Sequence, residues 1–83
     1  MNERVWMLKQ TLSVKAVGKI VLILHDGSTR NWQVRSVVGD EMNHLNEMFE
    51  SARGLCRREI DEGGTLYLYD KNNNLLREVR SFM

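Results

Sequence analysis

The sequence predicts an α+β domain, an antiparallel sheet of about five strands with one amphipathic helix packed on one face. Three observations carry that prediction. Only one stretch, Asp40 to Glu62, repeats its apolar residues at helical spacing. The segments on either side are rich in β-branched and aromatic residues, and turn residues cut those segments into lengths typical of strands. The chain order is therefore three strands, a helix and two strands.

The strands before the helix are Val5 to Lys15, Lys19 to Leu24 and Thr29 to Val38, joined by Ala16-Val17-Gly18 and His25-Asp26-Gly27. Residues directly opposite in an antiparallel pair share a face, so turn length decides which side chains meet. A two-residue loop at Asp26-Gly27 would set Leu22 against Asn31 and Leu24 against Thr29, mixing the faces. A three-residue loop with Gly27 in the left-handed region instead sets Ile20 against Trp32 and Leu22 against Arg30. The same reasoning at Ala16-Val17-Gly18 sets Val14 against Ile20 and Leu12 against Leu22. One face then carries Leu12, Val14, Ile20, Leu22, Leu24, Trp32 and Val34, joined by Leu66 and Leu68 from a later strand.

That face is expected to receive the helix. Met42, Leu45, Met48, Phe49, Ala52, Leu55, Cys56 and Ile60 recur at steps of three and four and form a single stripe. Asp40 is placed to cap the first turn, and Gly63 to end the last one in the left-handed region. Glu41, Glu47 and Glu50 suit the first half of the helix dipole and Arg53, Arg57 and Arg58 the second, but Glu59, Asp61 and Glu62 oppose it. Gly54 costs about 1 kcal/mol relative to alanine in mid-helix, which signals either a close backbone approach or simple tolerance. Beyond the helix, Thr65 to Tyr69 and Leu75 to Phe82 form a hairpin. Loops of three residues and of two or four at Lys71 to Asn74 give opposite parities for Leu75, Leu76 and Val79, so spacing leaves that register open.

Composition narrows the function classes. Eighty-three residues make one domain with a modest core, and 12 Lys+Arg against 11 Asp+Glu leave a net charge of +1, too little for the whole-molecule field to steer a polyanion. The single cysteine, Cys56, excludes an intramolecular disulfide, and its place on the apolar stripe suits a reduced thiol in a cytoplasmic protein. No apolar run reaches the length of a membrane span or of a secretory signal core. Proline and low-complexity segments are absent from the sequence, and no domain boundary is expected.

The candidate chemistries are thin. His25, His44 and Cys56 have no spacing that forces a nucleophile against a base, and they lack the number and pattern of a zinc site. Asp70-Lys71-Asn72-Asn73-Asn74 starts like a calcium loop, but Leu75 stands where the glycine belongs and Ser81 where the bidentate glutamate belongs. A hairpin turn explains it better. No catalytic residue, metal or cofactor is therefore expected.

What the sequence does offer is a second sheet face that one helix cannot cover. Val21, Ile23, Val37, Tyr67 and Tyr69 fall there, mixed with Asn31, Gln33 and Arg35, and the run from Lys19 to Leu24 reads as buried on both sides. The expected role is a non-enzymatic interaction module that binds a protein partner, or a second copy as a homodimer, through Val21, Ile23, Arg35, Val37, Tyr67 and Tyr69. The alternative is a weak single-stranded nucleic-acid binder in which Tyr67 and Tyr69 stack bases while Arg35 and Arg77 meet phosphates.

Overall fold

The computed structural model describes residues 15–36 and 39–81. Along the chain these form β1 (Lys15–Ile23), β2 (Thr29–Ser36), α1 (Glu41–Leu55), α2 (Arg57–Asp61), β3 (Thr65–Asp70) and β4 (Leu75–Arg80). The four strands make one antiparallel sheet in the order β2-β1-β3-β4, and the helices lie on one side of it. The α+β class stands as predicted, with four strands among the described residues in place of about five. Val5 to Val14, the bulk of the predicted first strand, lies outside them.

The turn predicted at Ala16-Val17-Gly18 is not a turn. β1 runs straight through it, and the register between β1 and β2 skips one residue there, pairing Ala16 with Arg35 and Gly18 with Val34. The skipped residue is Val17. A bulge of this kind sets two consecutive side chains toward one face, and Val17 accordingly lies buried in the core rather than in a loop. Gly18 serves close approach. A methyl group there would collide with the Tyr69 carbonyl and with the Leu45 side chain of α1. The two neighbours of β1 are β2 and β3, and Leu12 and Val14, expected opposite Leu22 and Ile20, lie outside the described residues.

The loop between β1 and β2 follows the three-residue expectation. Gly27 has φ +88° and its N–H donates to the Leu24 carbonyl at 2.9 Å, while the Leu24 N–H donates to the Ser28 carbonyl at 2.8 Å. Ile20 pairs with Trp32 and Leu22 with Arg30. The β3–β4 loop repeats this geometry with Asn73 at φ +64°. Its N–H donates to the Asp70 carbonyl and the Asp70 N–H to that of Asn74, both at 3.0 Å. A second bulge settles the parity that spacing left open: Leu68 faces Arg77 and Tyr69 faces Leu75, so Leu76 is the extra residue and packs against the core with Val79.

The predicted helix divides in two. Asp40 caps it, its carboxylate accepting from the Asn43 N–H at 3.1 Å, and the run continues to Leu55 before a break at Cys56. α2 then brings Ile60 onto the core. Gly63 ends the second piece at φ +102°. A methyl group on Gly54 would meet nothing within 4 Å, so that glycine is tolerated rather than required. The core consists of Val17, Ile20, Leu22, Val34, Leu45, Phe49, Cys56, Ile60, Leu66 and Leu68. Three stripe residues predicted for it stay outside: Met42 is 50% exposed, Met48 41% and Leu55 85%, and Trp32 on β2 is 41% exposed. α1 lies across β1, β2 and β3 and α2 across β3 and β4, and Arg77 of β4 lies 4.6 Å over the Phe49 ring and bonds Glu50 at 2.8 Å.

Candidate interaction surface on the uncovered sheet face

Register places the predicted site residues. Val21 of β1 pairs with Tyr67 of β3 on one side and Asn31 of β2 on the other, and Ile23 pairs with Thr65 and Thr29. Two positions along, Lys19 lies between Tyr69 and Gln33. All these side chains point away from the helices, because Ile20 and Leu22 between them point into the core. Val21, Ile23, Tyr67 and Tyr69 thus form a contiguous patch on the two central strands, and no described element packs on it. Arg35 joins the rim of the same face, its guanidinium donating to Gln33 Oε1 at 3.3 Å. Val37 lies outside the described residues.

The tyrosine rings stand 6.2 Å apart at 35°, and the Lys19 ammonium sits 5.3 Å over the Tyr69 ring. A cation held over the ring electrons is a favourable contact that also leaves Lys19 at the surface. Lys19, Leu75, Glu78 and Arg80 belong to this face although sequence reasoning did not assign them to it. For Lys19 the signal was present, since it alternates with Val21 and Ile23. For β4 it was not, since the bulge at Leu76 reverses parity. Arg77 is a correction: it pairs with Leu68 on the helix side, where it reaches Asn46, Phe49 and Glu50, and so stands on the opposite face from the tyrosines.

The remaining chemistry-bearing residues do not converge into a reactive centre. His44 Nε2 donates to the Arg35 carbonyl at 3.1 Å and ties α1 to the end of β2. Twelve residues of chain separate it from Cys56, about 18 Å along a helix axis. Burial, and after it the nearby Glu59 carboxylate, push the Cys56 thiol up from its ordinary range. Asp70 is consumed by its own turn: its carboxylate accepts from the Asn74 N–H at 2.9 Å, the Asn74 amide at 3.2 Å and the Asn72 N–H at 2.8 Å. Those donors hold it below the usual carboxylate range. Among the described residues, no three of His, Cys, Asp and Glu come together as a metal site, and no helix is long and apolar enough to cross a membrane.

Two concave features lie on the helix side. A cleft of about 530 Å³ between the helices and β4 is lined by Arg53, Arg57 and Arg80, but Glu50, Asp61 and Glu78 pair with these at 3.8, 4.0 and 3.4 Å. Little free charge remains for a ligand. A second groove of about 270 Å³, between α1 and β2, is almost wholly apolar. Comparison with protein-family models, curated proteins and solved structures found no match to this chain.

Proposed function

We propose that this chain is a non-enzymatic interaction module that docks a protein partner on the sheet face centred on Val21, Ile23, Tyr67 and Tyr69. The observation that supports it most is the register pairing of Val21 with Tyr67, beside Tyr69, on central strands that no described element covers on that side. Aromatic and aliphatic groups at the centre of a polar rim are the composition of a protein interface. The rim also suggests the partner's chemistry. Arg80 pairs with Glu78 at 3.4 Å, which leaves the charges of Lys19 and Arg35 on the rim, so a second copy docked face to face would bring like charges together. A partner with an apolar centre ringed by carboxylates is the better complement. The free Cys56 thiol suits a reducing, cytoplasmic setting for that encounter.

The test is affinity capture from the native cell, followed by binding of the captured protein in purified form. Replacing Tyr67→Ala together with Tyr69→Ala should weaken that binding by about tenfold or more, and added salt should weaken it further. Leu55→Ser, on the helix side, should leave it unchanged. Equal binding by the tyrosine variant would overturn the proposal. So would salt-dependent retention of a single-stranded oligonucleotide that the tyrosine variant loses, which would give the same face to nucleic acid.

A further inference from the structure

The apolar groove beside β2 has a natural occupant in this chain's own sequence. Among the described residues β2 is an edge of the sheet, and the groove lies between its helix-facing side and α1. Trp32, Val34, Met48, Ala52, Leu55 and Cys56 line the groove, and the exposure of Trp32, Met48 and Leu55 is far above that of their neighbours in the core. An edge strand flanked by exposed apolar side chains is a template for one more strand.

Residues 5–14 have the pattern to supply it. Trp6, Leu8, Leu12 and Val14 alternate on one side, with Gln10 the polar exception, and Val5, Met7, Lys9, Thr11 and Ser13 fall on the other, polar from Lys9 onward. Ten residues of strand span about 33 Å, more than the roughly 26 Å of an eight-residue partner. The place that hairpin reasoning gave this segment, against β1, is taken on both sides by β2 and β3. To reach the outer edge of its own β2, the chain would have to cross that strand and reverse direction just before Lys15. No glycine, proline, asparagine or aspartate stands between Val5 and Lys15 to make such a reversal, and Gly18 is already inside β1. The sequence of residues 5–14 thus offers no turn motif that would bring it back onto the groove of its own molecule.

We propose that residues 5–14 of one copy pair with the outer edge of β2 in a second copy, with Trp6, Leu8, Leu12 and Val14 turned into the groove, and that the exchange is reciprocal about a two-fold axis. A two-fold exchange of identical segments closes on itself and needs no surface beyond the groove. It supplies a fifth strand in trans and leaves the tyrosine face free for a different partner. The two proposals use different surfaces and fail separately.

Cross-linking of the full-length chain tests the exchange. In a Cys56→Ser background, chains carrying Leu8→Cys are mixed with chains carrying Leu55→Cys and oxidised with copper phenanthroline. A disulfide-linked heterodimer should form in large excess over the homodimer of either variant alone. Sedimentation equilibrium of the wild-type protein should show a dimer whose dissociation constant rises by about a hundredfold with Leu12→Asp. Circular dichroism of that variant should keep its helix signal. Heterodimer no more abundant than the random homodimers would overturn the proposal. So would an internally linked monomer from a chain carrying both cysteines, or a sedimentation profile that Leu12→Asp leaves unchanged.

Discussion

Of the glycines among the described residues, Gly18 has the least room for a side chain, because the backbone of β1 there meets the Tyr69 carbonyl and the Leu45 side chain. Adding one methyl group there forces the helix off the sheet or bends the ladder, and overpacking of this kind costs about 1–3 kcal/mol. Gly18→Ala should therefore lower the urea midpoint markedly. Gly54→Ala, which meets open space, should match the wild type or exceed it by up to about 1 kcal/mol. Equal effects at the two sites would refute the packing account. Both glycines were visible in the sequence, but their roles were not: a glycine inside a strand pattern signals a turn or a close contact with equal force. Val17 shows the same limit, since its burial follows from the bulge beside Gly18 and not from its own hydrophobicity.

The two hairpins share one construction, an aspartate that accepts from its own loop and a left-handed residue in the third loop position. For the β1–β2 loop these are Asp26 and Gly27, and for β3–β4 they are Asp70 and Asn73. Hydrogen bonds lower both carboxyls, Asp26 through the Ser28 side chain and N–H, Asp70 through the Asn74 N–H and side chain and the Asn72 N–H. A depressed folded-state value means that the unfolded chain binds the proton more readily. The stabilisation is thus present above about pH 4, the ordinary carboxylate value, and is lost as pH falls through the lower folded value. Asp70→Asn should show a shallower decline in unfolding midpoint than the wild type between about pH 5 and pH 3. It keeps the share due to Asp26. Parallel declines would show that the Asp70 turn contributes nothing to acid sensitivity. The first of these hairpins was legible because Gly27 marks its register. The second was not, because the bulge at Leu76 adds a residue that no turn motif announces.

Across the whole molecule, a few buried side chains carry the fold, and Phe49 stands at their centre, fully buried beneath the Arg77 guanidinium. A chain of this length holds about 4–12 kcal/mol of stability, and Phe→Ala in a core removes about 3–5 kcal/mol. Phe49→Ala should therefore melt well below the wild type by circular dichroism, and a variant that melts with the wild type would show that the core lies elsewhere. The composition and spacing of this chain determined its class, the place of its helical layer in the chain, the cap at Asp40, the β1–β2 register next to the Gly27 loop and the pairing of Val21, Ile23, Tyr67 and Tyr69 on one face. These are local or depend on period-two alternation, which survives without knowledge of distant contacts. Only the tertiary structure decided that Ala16 to Gly18 continues a strand, that Arg77 turns under the helix, and that Trp32, Met48 and Leu55 are left exposed. Each of those depends on a one-residue bulge or on where the helical layer settles across the sheet. Packing between distant segments sets both, and neither has a signature in spacing along the chain.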